Sequence, residues 1–121
     1  MTKILIIDDD FAITKFLKLA IEKAGTYEVH TENEATLAIS KIRSVRPDII
    51  LLDVNMPNVS GGEILAQIEE DPEISGSKII FLTGSVSADE VEQGLSIGGH
   101  PALSKPINFM KLMGLLGQLL K

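Results

Sequence analysis

The sequence predicts a doubly wound α/β fold, in which a five-stranded parallel sheet is covered by five helices. Two observations carry that expectation. Short apolar runs recur along the chain and read as strands buried on both faces, and between them apolar residues fall at three- and four-residue steps. A parallel crossover needs a helix between its strands, so this alternation, joined by short connections, selects a sheet wound on both sides. At 121 residues with 45% apolar side chains, one core suffices, and a single domain spanning 1–121 is expected.

The strongest strand signals are residues 3–8 (KILIID), 49–53 (IILLD) and 78–83 (KIIFLT). Residues 27–31 (YEVHT) alternate like a more exposed strand, and 100–104 (HPALS) form a fifth that Pro101 weakens. The first helix carries Ile13, Phe16, Leu17, Ala20, Ile21 and Ala24, with Gly25 where a C-terminal cap is expected. Ala35, Ala38, Ile39 and Ile42 repeat the pattern before Pro47; Ile64, Leu65 and Ile68 mark a shorter helix that stops near Asp71 and Pro72. Ser87 and Glu90 form a capping box for a fourth helix bearing Val91 and Leu95, in which Gly94 costs about 1 kcal/mol relative to alanine. The last helix is expected over 108–120, with Leu112, Leu115, Leu116 and Leu119 facing the core. Its adjacent stripe of Met110, Met113, Gly114 and Gly117 reads as loose packing at a chain end or as a partner surface.

Composition narrows the function classes. Lys and Arg number 11 against 17 Asp and Glu, a formal charge of −6 that leaves no basic stripe for direct nucleic-acid binding. The chain has no cysteine, which removes disulfides, thiolate metal sites and cysteine nucleophiles. No apolar run reaches the length of a membrane span, and MTKILIIDDD places acids where a signal peptide would continue its apolar region. A soluble, cytoplasmic protein is expected. Neither His30 nor His100 has a second ligand at useful spacing, so both read as surface histidines.

The acids are concentrated where ligands bind. In strand order 2-1-3-4-5, the ends of the first and third strands flank the point at which strand order reverses. Asp8 and Asp9 would then face Asp53 across one crevice. A run of three acids otherwise reads as a solvated loop with one member capping a helix. Three carboxylates together raise one another's pKa or demand a cation, and hard oxygen ligands suit Mg²⁺. The later strand ends add Thr83, a hydroxyl; Gly84, which lets a ligand approach the backbone; and Lys105, a compact ammonium for an anion.

With those residues in place, the sequence resembles the receiver domain of two-component response regulators along its whole length, a flavodoxin-like fold. The resemblance rests on Asp8-Asp9, Asp53 in LLDVNMP, Gly61, Thr83-Gly84 and Lys105-Pro106. The intervals of 44 residues from Asp9 to Asp53, 30 to Thr83 and 52 to Lys105 fit the family. It implies that Asp53 takes a phosphoryl group from a phosphohistidine on a sensor kinase or phosphotransfer protein. Asp9, Asp53 and the Asn55 carbonyl would hold Mg²⁺ directly, with Asp8 acting largely through water, and Lys105 and Thr83 would neutralise the phosphoryl oxygens. A water would later hydrolyse the acyl phosphate, influenced by Asn55 and Ser85. The family also implies a cis bond before Pro106, a downstream protein target or output domain, and use of the last helices for a homodimer or target. It is expected to act as a signalling phosphoacceptor rather than as an enzyme.

Two features depart from the family pattern. Ala102 stands where many receivers carry an aromatic ring that follows the threonine inward, so the switch made of Thr83, Gly84, Ser85 and Ala102 lacks its usual messenger. The route is expected through residues 83–87 and the following helix instead. The sequence also stops after its last helix, which fits a stand-alone receiver or one cut at a domain boundary. Among alternatives, a haloacid-dehalogenase-type phosphatase would use Asp8 as nucleophile and Asp10 as acid/base, but it lacks the late acidic pair and the length. A receiver-like docking module would have lost part of the acid, threonine and lysine set. A flavodoxin-type carrier would need a Ser/Thr/Gly-rich loop after the first strand.

Overall fold

The computed structural model describes residues 1–84, 96–97 and 99–120, so Ser85 and the helix expected from Ser87 lie outside the described residues. The strands are β1 (Thr2–Ile7), β2 (Tyr27–Glu32), β3 (Ile49–Asp53), β4 (Lys78–Thr83), β5 (Ser96–Ile97) and β6 (His100–Ser104). The described α-helices are α1 (Phe11–Ala24), α2 (Ala38–Val45), α3 (Gly61–Glu70) and α4 (Phe109–Leu119), with a 3₁₀ turn at Ala35–Leu37 before α2.

The sheet order is β2-β1-β3-β4-β6-β5. Its five parallel strands reproduce the expected order 2-1-3-4-5, and the two-residue β5 adds an antiparallel edge that pairs Ser96 with Pro101. The parallel register between β4 and β6 begins at Phe81 and Ala102, so Pro101 precedes the ladder that its missing N–H would have interrupted.

Alternation along each strand divides the core into two layers. Leu5, Ile7, Ile50, Leu52, Ile79 and Phe81 pack under α2 and α3, whereas Ile4, Ile6, Ile49, Leu51, Ile80 and Leu82 pack under α1 and α4. Each Leu or Ile buried this way contributes about 1.5–3 kcal/mol, which is why the near-continuous apolar strands tolerate no exposed face.

One local expectation needs correction. Periodicity puts Phe16 on the buried stripe of α1, but it is 62% exposed, and Thr14 takes a core position beside Leu17 and Ile21. Apolarity alone misses a threonine whose hydroxyl is satisfied by hydrogen bonds. Gly25 caps α1 as expected, with an extended φ of −166°. A Cβ there would stand 2.9 Å from the Tyr27 ring, so the glycine makes room rather than turning the chain. The left-handed cap belongs to Arg46, at φ 53° after α2. In α4, Leu112 and Leu116 are buried, Leu115 and Leu119 are half-buried, Met113 packs against the core and Met110 is exposed.

Candidate functional site

β1 and β3 are neighbours whose following chains leave in opposite directions, and a crevice opens at their carboxyl ends. β1 delivers Asp8 at 0% exposure, and β3 ends on Asp53 at 2%. Three backbone features fix these ends. Asp8 N–H donates to the Glu32 carbonyl, Val54 N–H donates to the Leu82 carbonyl, and Gly61 N–H donates to the Val54 carbonyl. α3 therefore starts directly against the end of β3, and a Cβ on Gly61 would lie 2.6 Å from the Asp53 carbonyl oxygen. Gly61 is required by this close approach.

The three consecutive acids divide their tasks. Asp10 caps α1, its Oδ1 accepting from Ala12 N at 3.0 Å and Ile13 N at 3.2 Å, which occupies the carboxylate that a phosphatase would use as acid/base. Asp8 and Asp9 point with Asp53 into the crevice, and one carboxylate oxygen from each lies within 4.8 Å of the others. Lys105 enters from the far side, with Nζ 2.9 Å from Asp8 Oδ2 and 3.2 Å from Asp53 Oδ1. The Lys105–Pro106 bond is cis. Thr83 closes β4 at 1% exposure, and Lys105 N–H donates to its carbonyl at 2.8 Å. Gly84 is exposed beside it, and Asn55 lies exposed in the loop after β3, with its backbone N–H directed to the Asp53 carboxylate.

Ala102 is buried in the layer under α2 and α3, in register with Phe81, and the only ring on Phe81 is that of His100 among the described residues, edge-on at 6.2 Å between centroids. Asp8, Asp9, Asp53 and Lys105 thus lie together with the Asn55 N–H beside them, Thr83 and Gly84 stand at the neighbouring strand end, Ala102 lies deeper in the sheet, and Ser85 is not described.

Electrostatics follow from this crowding. Burial, reinforced by the Asp8 charge and only partly offset by Lys105, pushes Asp53 up to about 6. Burial alone would lower Lys105, but the Asp8 and Asp53 carboxylates outweigh it and hold the ammonium above its usual range. One lysine cannot balance three carboxylates. Asp8 Oδ2, buried, has the ammonium as an ion-pair neighbour but accepts no aligned hydrogen bond. An under-satisfied buried oxygen within a cluster of hard oxygen donors, beside an exposed Asp9, fits a small divalent cation that keeps some of its water.

Comparison with known proteins agrees with this geometry. The family profile described as response regulator receiver domain matches residues 4–116. The nisin biosynthesis regulatory protein NisR of Lactococcus lactis is 38% identical over 111 residues, 92% of this chain and 47% of its own length. The transcriptional regulatory protein KdpE of Staphylococcus aureus is 35% identical over 92% of this chain and 46% of its own. The chain thus spans about half the length of the curated relatives it matches. Among solved structures, the chemotaxis protein CheY4 of Vibrio cholerae superposes with a TM-score of 0.82 at 30% identity, covering 98% of each chain. The signal receiver domain of a DNA binding response regulator from Colwellia psychrerythraea gives 0.85 at 26% identity, covering 99% of this chain and 98% of its own.

Proposed function

The chain belongs to the response regulator receiver domain family, and from that membership we propose that Asp53 accepts a phosphoryl group from the phosphohistidine of a sensor kinase or phosphotransfer protein. The observation that carries the assignment to Asp53 is the cluster itself, in which Lys105 bridges Asp8 and Asp53 while Asp9 stands within 4.8 Å. An Asp53 carboxylate oxygen forms the new P–O bond as the P–N bond to histidine breaks, and the electron pair leaves on the imidazole nitrogen. With its pKa near 6, Asp53 is mostly ionised at neutral pH and available as the nucleophile.

Asp8, Asp9, Asp53 and the Asn55 carbonyl are the residues that would hold Mg²⁺. When bound, that ion supplies positive charge to the phosphoryl oxygens. Lys105 offers its ammonium to the same oxygens, the Thr83 hydroxyl donates to them, and both sit at strand ends that need little reorganisation. Asn55 and Ser85 influence the water that later hydrolyses the acyl phosphate. The domain serves as a cytoplasmic phosphoacceptor that signals rather than as an enzyme with a separate product. Its switch joins Thr83, Gly84 and Ser85 to a downstream target or output domain, and the last helices are a surface for a homodimer.

A protein donor is supported by the face of α1 beside the crevice. Phe16 is 62% exposed there, and Phe11, the first residue of α1, is 67% exposed. A cavity of about 270 Å³ lies on this face, lined by Ile13, Phe16, Leu17, Lys105, Pro106 and Ile107.

Incubation with Mg²⁺ and acetyl phosphate, followed by intact-mass measurement, tests the reading. Wild type gains one phosphoryl group and Asp53→Ala gains none. Wild type that gains nothing, or Asp53→Ala that labels normally, refutes it.

A further inference from the structure

Asn33 is half-buried immediately after β2, and it touches the acidic loop without belonging to it. β1 and β2 pair in register up to Ile7 and Glu32, and Asp8 N–H extends the ladder by donating to the Glu32 carbonyl at 3.1 Å. The next residue along β2 therefore lies opposite the chain that carries Asp8 and Asp9. Its amide nitrogen makes two hydrogen bonds to two different elements, one to the Asp8 carbonyl at 2.8 Å and one to the Thr14 hydroxyl oxygen at 2.9 Å. Thr14, 1% exposed in the first turns of α1, donates in turn to the Phe11 carbonyl at 3.0 Å. Only a side chain with two donors on one nitrogen can serve both acceptors in this way.

The position of the first bond matters. The Asp8 carbonyl belongs to the peptide that joins Asp8 to Asp9. The Asp8 carboxylate is held independently, by Asp10 N–H at 2.9 Å and by Lys105. Asp9 is exposed, and among the described residues no hydrogen bond holds its side chain. The direction in which Asp9 projects is therefore set by its backbone, and the peptide plane at its start is fixed by Asn33. The Thr14 bond ties the same amide to α1, whose first residue follows Asp10.

We propose that Asn33 is a positioning residue for the divalent-cation site: through the Asp8–Asp9 peptide it aims the Asp9 carboxylate at Asp8 and Asp53. This rests on the reading of those three acids as the cation site. Asn33 touches neither the reacting carboxylate nor Lys105. Its effect belongs to cation affinity, with a smaller effect on the rate once the cation is saturating.

The test is Mg²⁺ titration of wild type, Asn33→Ala, Thr14→Val and Thr14→Ser, followed by amide NMR, with metal-free thermal unfolding alongside. Asn33→Ala should raise the Mg²⁺ dissociation constant about tenfold, in line with other outer supports of metal ligands. It should also shift the metal-free amide signal of Asp9. Labelling by acetyl phosphate at saturating Mg²⁺ should fall by less than about threefold, so that the loss appears in affinity. Thr14→Val moves affinity less in the same direction, and Thr14→Ser, which keeps the hydroxyl, restores it. If Asn33→Ala unfolds, Asn33→Ser, with one donor left, carries the same test at about threefold. A lower unfolding midpoint with Mg²⁺ affinity within twofold of wild type overturns the proposal alone. Wild type that does not respond to Mg²⁺ overturns the cation site and this proposal together.

Discussion

The two ends of the sheet hold similar side chains under opposite conditions. At the amino end, Asp48 and Lys78 are exposed, and the backbone groups around them close on one another: Lys3 N–H donates to Asp48 Oδ2 at 2.8 Å, Asp48 N–H to the Lys3 carbonyl at 2.8 Å, and Lys78 N–H to the Asp48 carbonyl at 2.9 Å. At the carboxyl end lie all the buried polar residues among those described, Asp8, Thr14, Asp53 and Thr83. Water screens charge at the first end, so the cost of charge there is slight. At the second, two buried carboxylates share one ammonium, a state that a cation bound there would relieve. Stability and function are thus divided along the strands.

The largest expected effect is at Asp53. Asp53→Asn removes phosphoryl acceptance, and in the metal-free protein it should raise stability at pH 7. The folded state holds the Asp53 proton more tightly than the unfolded chain, so this group favours folding below about pH 3.8, and that contribution is lost as pH rises through about 6. The change from 3.8 to about 6 corresponds to roughly 3 kcal/mol. Urea unfolding between pH 4 and 7.5 should show wild type declining relative to Asp53→Asn by an amount of that order, and Mg²⁺ should reverse the decline. Parallel profiles for the two proteins would mean that the carboxyl end carries no such load.

Lys105 should follow. Lys105→Met leaves Asp8 and Asp53 facing each other without their shared cation, at a cost of roughly 2–3 kcal/mol in metal-free protein at pH 7. Mg²⁺ should restore more stability to the variant than it adds to wild type. At the other end, Lys78→Met should change stability by less than about 0.5 kcal/mol. Equal losses at the two lysines would remove the distinction between the ends.

This asymmetry was partly legible in the sequence. The strands lie within a residue or two of their predicted limits because fully buried parallel strands write themselves as unbroken apolar runs, as in IILLD. Asp8, Asp9, Asp53 and Lys105 are legible because strand ends bring distant residues together once the order is known. What periodicity could not show was any position where hydrogen bonds override apolarity. Thr14 entered the core on the strength of Asn33 and Phe11, while Phe16 turned outward. Asn33 itself has no sequence signal, since its importance lies in a carbonyl 25 residues away. The two-residue β5 is too short to show a period. Gly61 stands out in the sequence by its spacing, but the reason for it, contact with the Asp53 carbonyl, is visible only in three dimensions.

Gly61 therefore offers a sharper probe of backbone packing at the site. In Gly61→Ala the new Cβ meets two backbone atoms, the Asp53 oxygen at 2.6 Å and Val54 Cα at 3.0 Å, neither of which can rotate away. Displacing α3 or the end of β3 should cost about 1–3 kcal/mol. It should also slow acetyl phosphate labelling roughly tenfold through misplacement of Asp53. Gly62→Ala is the control, since its Cβ would find only Ser60 Oγ at 3.8 Å, and in a helix it should be neutral or stabilising. If both alanines label alike, the close approach of α3 does not govern the geometry of Asp53.

The smallest effect is expected at the amino end. Arg43, in the last turn of α2, pairs with Asp71 Oδ2 and reaches Glu73 Oε2 at 3.8 Å, tying α2 to the connection between α3 and β4. The guanidinium is half exposed, so its attraction is screened by water and salt, and the pair should contribute at most about 1 kcal/mol. Arg43→Ala should lower stability by less than that at low ionic strength, and the difference should shrink in about 0.5 M NaCl, where charges beyond a few ångströms no longer feel one another. Phosphoryl labelling should stay within about twofold of wild type, because no side chain of this cluster reaches the crevice. The buried cluster at the opposite end should respond in the other sense, changing little with NaCl and strongly with Mg²⁺, since only a cation that enters the crevice can reach its oxygens. A salt response of Arg43→Ala that also altered Mg²⁺ affinity would show that the helices transmit charge from one end of the sheet to the other.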